Sequence, residues 1–221
     1  MKIFNHVKLP QLDFDLKVET TDSGRLYATP TGEKYKSITT VLGNYNKQAI
    51  MEWRERVGEE RANKISSTAA NRGTKVHKIC EDYINNTMNF IDDAMMMPDL
   101  KEMFFKIKPI IDEKLGDVYS QEQALYSHQL KIAGRVDLIG MWNGKLSVID
   151  FKTSAKQKEE SYIQNYFMQC TAYALMFSEL TGMWIDDIVV LIATGEGEAQ
   201  LFERQIHDYR KPLMQYIDKY A

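Results

Sequence analysis

The 221-residue sequence contains only two cysteines, Cys80 and Cys170, and they do not form a CxxC pair. A disulfide framework, a zinc knuckle and a four-cysteine iron–sulfur cluster are therefore not expected, and a reducing setting is the simplest interpretation. The sequence also lacks the run of about 18 apolar residues that a membrane-spanning helix needs. Residues 1–6 lack the apolar stretch of a secretory signal. We therefore expect a cytoplasmic protein with no membrane partner.

An excess of positive charge, which is typical of nucleic-acid-binding proteins, is also missing, because the net charge is −3 at pH 7. A locally basic segment lies between residues 47 and 78, where eight Lys and Arg face four Glu. This segment is either a DNA-binding track, with Arg72 and Lys75 as candidate contacts, or the solvated side of a helix. Hydrophobic residues make up 44% of the sequence, which suffices for the core of one α/β domain.

The first half of the sequence predicts a hairpin followed by helices. Residues 25–29 and 34–37 flank a Pro-Thr-Gly turn and are expected to pair as β-strands. Ser37 then offers a hydroxyl N-cap to a short helix that ends near Leu42. Apolar spacing predicts further helices over 47–65, 68–85 and 99–115, whereas 89–98, with three consecutive methionines, is expected to be a loop.

The second half predicts strands first and a closing helix last. Strands are expected over 118–126, 132–141 and 146–151, and Asn143-Gly144 between the last two is a strong hairpin signal. A helix over 160–180, strands over 185–193 and 199–205, and a helix over 209–220 complete the chain. This order predicts the α/β class, with a mixed central β-sheet flanked by helices. We expect a single domain over residues 1–221, divided into a hairpin with a short helix (1–46), a helical portion (47–115) and an α/β core (116–221).

Two carboxylates and a lysine are predicted to meet at one end of the second hairpin. Asp150 and Lys152 alternate with apolar neighbours and so emerge on the same face of their strand. Asp137 lies on the preceding strand, which the turn folds back alongside. Adjacent carboxylates need a cation, and hard oxygen ligands favour one or two Mg²⁺ or Mn²⁺ ions, beside which a lysine would orient or deprotonate a water molecule. The alternative is a surface hairpin with an ordinary ion pair.

Six short segments, in this order, resemble the PD-(D/E)XK nuclease superfamily in its RecB-type exonuclease branch, and are similar to phage exonucleases and the mitochondrial genome maintenance exonuclease. They are residues 37–42 (SITTVL), 73–77 (GTKVH) with Glu81, Glu122, 134–137 (GRVD), 149–153 (IDFKT) and Gln169-x-x-x-Tyr173. GRVD replaces the literal Pro-Asp pair of the superfamily. The resemblance spans about residues 37–205 and implies a restriction-endonuclease-like core with a helical N-terminal portion.

The resemblance also implies roles for individual residues. Asp137 and Asp150 would bind the divalent metal together with the Phe151 carbonyl, His77 would be a further ligand, and Lys152 would be the catalytic lysine. Glu122 would belong to the catalytic group, where it would bind a second metal or orient a water molecule. The alternative is a carboxylate at the edge of the sheet with no catalytic role. The candidate contacts to nucleic acid are Ser37, Thr39, Thr40, Arg72, Lys75, Arg135, Thr153, Gln169 and Tyr173. For Gln169 and Tyr173, plain packing of the helix is the alternative.

These expectations combine into a metal-dependent DNA exonuclease without an iron–sulfur cluster. Its substrate would be single-stranded DNA or a DNA end, in replication, recombination or repair, for example as a phage protein in the bacterial cytoplasm. Recombination or replication proteins would be its partners. Two alternatives stay open: a structure-selective endonuclease of the same fold, and a non-catalytic DNA-binding module.

Overall fold

The computed structural model describes residues 2–22, 24–87 and 98–221. The loop predicted over 89–98 lies outside the described residues, apart from Pro98, which begins a helix. The strands are β1 (Lys17–Thr21), β2 (Gly24–Ala28), β3 (Lys34–Ser37), β4 (Leu115–Ser127), β5 (Ile132–Trp142), β6 (Lys145–Ser154), β7 (Asp187–Thr194) and β8 (Gln200–Gln205). The helices are α1 (Ile38–Leu42), α2 (Lys47–Val57), α3 (Glu59–Ile84), α4 (Pro98–Lys114), α5 (Gln164–Thr181) and α6 (Ile206–Tyr220).

The described strands form one mixed sheet in the order β1-β2-β3-β5-β6-β7-β8, and β4 pairs with the opposite edge of β5. The β3–β5 and β6–β7 pairs are parallel and the others are antiparallel. Two different strands share one edge of β5. β3 pairs with its beginning, at Ile132 and Ala133, and β6 pairs with its end, from Leu138 to Trp142. In this register, residues 134–137 lie in a gap between the two partners.

Helices cover both faces of the sheet. One apolar layer packs the sheet against α1, α5 and α6, and the other packs it against α3 and α4. The strand β6 contributes to both layers, because Val148 belongs to the first and Ile149 and Phe151 belong to the second. This architecture confirms the predicted mixed sheet flanked by helices. Among the described residues, no helix combines the length and the apolar character that a bilayer crossing requires.

The predicted helix boundaries in the helical portion are wrong at one point. The sequence predicted a helix end near residue 65 and a new start near 68, but α3 runs without a break from Glu59 to Ile84. The actual break lies at Gly58, whose φ of +83° ends α2. Ser and Thr lower helix propensity by only a few tenths of a kcal/mol each, whereas a positive φ interrupts the helix outright. The exposed strand β1 was not predicted, because its residues show no alternating apolar pattern.

The predicted GRVD segment contains a glycine that the packing requires. A Cβ atom at Gly134 would lie 2.8 Å from Cε1 of Tyr173 and 3.1 Å from Cγ2 of Ile38. Tyr173 on α5 is only 1% exposed, so its ring cannot move aside into solvent. Gly134 therefore lets α5 approach β5 closely, directly beside the gap in the sheet.

Replacement of glycine by alanine at two different positions is expected to change the free energy of unfolding in opposite directions. Gly134→Ala should lower the free energy of unfolding by about 1–3 kcal/mol, because the added methyl group overpacks the contact with Tyr173. Gly73→Ala on α3 should raise it by up to about 1 kcal/mol, because the nearest atom, Oγ1 of Thr153, would lie 3.6 Å away and alanine favours a helix. Urea unfolding of both variants measures the difference. Equal effects would contradict this account of Gly134.

Candidate active site

The candidate site is built around the gap between β5 and β6. Their ladder ends at the pair Leu138–Ile149, and the next residues in register are Asp137 and Asp150. Here the Phe151 N–H donates to Oδ2 of Asp137 at 2.9 Å instead of to a β5 backbone carbonyl. Because the N–H and C=O of one strand residue point to the same side, the Phe151 carbonyl faces the same gap. A side-chain carboxylate thus replaces a missing backbone acceptor.

Three of the predicted residues come together on the α3 side of this gap. Nδ1 of His77 lies 3.5 Å from Oδ2 of Asp137. His77, Asp137 and Glu122 each offer one ligand atom, and these atoms all lie within 4.8 Å of one another. Glu122 stands on β4 at a φ of +48°, a conformation that costs about 1–3 kcal/mol for most residues other than glycine. We call these three residues the His–carboxylate cluster.

The charges of this cluster fit a divalent cation. Burial, and then the nearby charge of Asp137, raise the pKa of Glu122 to about 7. Two half-buried carboxylates therefore repel each other, and His77 offsets only part of that repulsion. A carboxylate pair with an imidazole nitrogen is a donor set that Mn²⁺ and Mg²⁺ accept. A bound cation would remove the repulsion and keep both carboxylates ionised.

Asp150 lies in a neighbouring polar network and not in the cluster. Its fully buried carboxylate forms an ion pair with Lys152 and accepts a hydrogen bond from Nε2 of Gln169 at 3.2 Å. Gln169 also donates to Oη of Tyr173 at 3.3 Å. The sequence predicted that Asp137 and Asp150 share a metal. That stays a prediction: the two residues are neighbours in the β5–β6 register and the charges of Asp137 and His77 act on Asp150, but alternation along β6 directs Asp150 and Lys152 towards α5 while Phe151 packs on the side of α3 and α4.

Lys152 remains charged in this network. Its side chain is 19% exposed, and Nζ lies 5.2 Å from the ring centroid of Tyr166. Burial acts to lower the pKa of Lys152, but the charges of Asp150 and Asp137 outweigh it and the pKa is raised. Burial raises the pKa of Asp150, which the charge of Lys152 opposes. Lys152 is therefore a permanent cation close to both carboxylates.

An open cleft of about 490 Å³ leads to the cluster between α3 and the sheet. It is lined by Arg25, Gly73, Thr74, His77, Lys78, Glu81, Glu122, Arg135 and Asp137. Arg135 was predicted as a nucleic-acid contact, and it is exposed and donates to the backbone carbonyl of Glu122. Arg25 and Thr74 were not predicted. Nothing in the local sequence marks Arg25, which reaches the cleft because β3 places the N-terminal hairpin beside β5.

Two of the predicted nucleic-acid contacts are excluded by burial. Ser37 and Tyr173 are each 1% exposed, so neither side chain can touch a DNA strand. The Ser37 hydroxyl instead accepts the Thr40 N–H and caps α1. Tyr173 packs beneath Gly134 and accepts a hydrogen bond from Gln169. Both residues are therefore buried next to the site and do not line the cleft.

The other predicted contacts lie at varying distances from the cleft. Thr40 accepts the backbone N–H of Arg25 at 3.1 Å, and Thr39 is exposed at the start of α1. Thr153 borders α3 next to Gly73. Arg72 and Lys75 are on α3 but do not line the cleft. None of these predicted contacts is among the residues that line the cleft.

The buried ion pair leads to a stability prediction. Lys152→Met should lower the free energy of unfolding by about 3 kcal/mol, because it leaves the Asp150 carboxylate buried without its partner. Adding Asp150→Asn should recover part of this loss, because the uncompensated charge is removed while the Gln169 contact can persist. Chemical denaturation of wild type, both single variants and the double variant measures the coupling. Strictly additive losses would show that the pair does not interact.

Comparison with known proteins adds a family to this geometry. The PD-(D/E)XK nuclease superfamily matches residues 46–200. Among curated proteins, none matches the sequence. A crystal structure of a candidate exonuclease from Eubacterium rectale is similar over 67% of this chain and 66% of that one, with 9% identity and a TM-score of 0.46. The crystal structure of SSO0001 is similar over 76% and 70%, with 16% identity and a TM-score of 0.37.

The two structural likenesses are too distant to carry an argument about activity. The superfamily match does establish the family, because it covers most of the chain and includes His77, Glu122, Asp137, Asp150 and Lys152. Nucleases of this superfamily generally use divalent metal ions, in agreement with the His–carboxylate cluster. The chain therefore belongs to the PD-(D/E)XK nuclease superfamily.

Proposed function

We propose that this protein is a metal-dependent DNA exonuclease of the RecB type that acts on single strands or DNA ends. The observation that carries the proposal is the His–carboxylate cluster at the base of an open cleft, with the Lys152 ammonium close by. Two carboxylates and an imidazole that line an open cleft, with a cation on the other side of the gap in the sheet, suit phosphodiester hydrolysis, which needs stabilisation of negative charge and an oriented water molecule.

The metal would be Mg²⁺ or Mn²⁺, and His77, Glu122 and Asp137 would hold it. The Phe151 carbonyl, which faces the same gap, is a further candidate ligand. When bound, the ion would supply Lewis-acid stabilisation of the scissile phosphate. Lys152 would add a fixed positive charge at the reacting phosphate, and Asp150 and Gln169 would hold that lysine in place through the ion pair and its hydrogen bond.

The shape and charge of the cleft support a single strand as substrate. The cleft, about 490 Å³ in volume and open to solvent, has room for a short piece of one strand. Arg25 and Arg135 are exposed cations at its rim and would bind backbone phosphates. The helices of residues 47–115 would form one wall of the path, through α3. Replication, recombination or repair is the setting that we propose.

Cleavage is expected to depend on the cluster and on its metal. Labelled linear single-stranded DNA should be degraded in Mg²⁺ or Mn²⁺ and left intact in EDTA. Asp137→Asn and Glu122→Gln should each lower kcat/KM by at least about 100-fold, because each removes a charged ligand. Mn²⁺ should raise the Tm of wild type but not that of Asp137→Asn. Asp208→Asn on α6 is the matched control and should behave like wild type. If wild type binds DNA but cleaves it in neither metal, the non-catalytic alternative is correct.

Circular single-stranded DNA separates exonuclease from endonuclease. An enzyme that needs an end should leave the circle intact while it degrades the same sequence in linear form. Gel electrophoresis of both forms under identical metal conditions gives the result. Linearisation of the circle at a rate similar to degradation of the linear strand would establish the structure-selective endonuclease instead.

A further inference from the structure

Four rings form a continuous cluster on the surface beside the cleft, which we call the aromatic surface: Phe14, Tyr35, Tyr126 and His128. Ring centroids are 5.5 Å apart for Phe14 and Tyr126, 5.0 Å for Tyr126 and His128, and 5.7 Å for Tyr35 and His128. Oη of Tyr35 is hydrogen-bonded to Nδ1 of His128 at 2.8 Å. His128 is exposed and the other three rings are half-buried. Contacts among the rings thus hold the cluster together, and it is still open to solvent.

The aromatic surface lies on the same face of the sheet as Asp137. Positions 133, 135 and 137 of β5 share one face, because strand side chains alternate. Tyr126 on β4 is the register partner of Ala133, and both Tyr35 and Tyr126 pack against the small apolar cluster that contains Ala133. Four residues of strand separate Ala133 from Asp137, which corresponds to about 13 Å. A polymer bound at Asp137 would reach the aromatic surface within a few units.

Two cations occupy the interval between Asp137 and the rings. Arg135 is exposed, lines the cleft and is the register partner of Ala124, two residues before Tyr126. Arg25 is also exposed and lines the cleft, two residues before Tyr27. From Asp137 outwards, the sheet face therefore presents the His–carboxylate cluster, then two arginines, then aromatic rings.

The acidic groups near the rings have hydrogen-bond partners of their own. Glu33 accepts hydrogen bonds from the hydroxyl groups of Thr29 and Thr31. Glu179 accepts from the Ser127 hydroxyl and from the His128 backbone N–H. These carboxylates close the turns that carry the rings. Asp15, next to Phe14, lies 3.7 Å from Arg135 in an exposed ion pair, which a phosphate can replace. The two arginines are the cations that a phosphate chain meets between the cluster and the aromatic surface, within the part of the chain that the structure describes.

We propose that the aromatic surface stacks a base of single-stranded DNA, a few nucleotides from the phosphate held at the His–carboxylate cluster. This inference rests on the proposed function, since it assigns a subsite to the same DNA strand. Proteins that bind single strands irrespective of sequence combine cationic side chains, which bind the phosphates, with aromatic rings, which stack on the bases. The rings touch one another in tilted or edge-to-face geometry and not face to face, and since His128 is exposed and the other three are half-buried, part of the ring surface stays accessible to a base.

Abasic substitution tests the subsite position by position. A series of labelled single strands carries one abasic residue at successive positions, so that the phosphate chain is kept and one base is lost. Binding is measured by fluorescence anisotropy in EDTA, and KM and kcat are measured in Mg²⁺. For the wild-type full chain, one position should weaken binding and raise KM by about tenfold, with kcat little changed. Tyr126→Leu, which keeps apolar contact with Phe14, should bind intact DNA about tenfold more weakly and should show no further abasic penalty.

Control variants isolate the stacking contribution. Tyr35→Phe keeps the ring and should retain the abasic penalty, and Phe105→Ala, which removes a 47% exposed ring on α4, should behave like wild type. The proposal is overturned if wild type cleaves DNA but shows no abasic penalty, or if Tyr126→Leu keeps the wild-type penalty. It is also overturned if Tyr126→Leu binds intact DNA as tightly as wild type. If wild type cleaves no DNA in either metal, the proposed function itself fails, which is a separate result.

Discussion

The site depends on the separation of β5 from β6. A buried backbone N–H must find an acceptor, and where the ladder ends the Phe151 N–H finds the carboxylate of Asp137. This hydrogen bond fixes the carboxylate in the gap of the sheet, at the height where His77 and Glu122 approach from α3 and β4. It also directs the Phe151 carbonyl into the same gap. A continuous β5–β6 ladder would fill this space with backbone hydrogen bonds and leave no room for a ligand.

Two sets of polar side chains lie on either side of this gap, and they differ in net charge. On the α5 side, Asp150 and Lys152 neutralise each other, and Gln169 satisfies a further oxygen. On the α3 side, the groups that offset the charges of Glu122 and Asp137 are His77, the exposed Arg135 and the more distant Lys152. The negative charge of the site is therefore concentrated where a cation can enter from the cleft. The balanced pair keeps an ammonium group fixed beside it.

The overall charge of −3 does not conflict with DNA as substrate. Binding of a strand depends on the local field, and Arg25 and Arg135 place positive charge at the rim of the cleft. The basic residues of α2 and α3 that were predicted from composition contribute less to this rim, since Arg72 and Lys75 lie outside the cleft lining. The half-buried rings next to the arginines extend the surface without adding charge.

Local patterns in the sequence determined the parts of this protein that depend on neighbours along the chain. Alternation and the Asn143-Gly144 turn predicted the β5–β6 hairpin, and the GRVD and DFK segments identified the acidic and basic residues of the site. Only the tertiary structure decided which carboxylate joins His77, because that depends on where the β5–β6 ladder ends. The parallel β3–β5 pairing brings Arg25 to the cleft beside Asp137 and contributes to the burial of Ser37. The close approach of α5 at Gly134 buries Tyr173. These are contacts between residues far apart in the chain, and neither periodicity nor motif spacing records them.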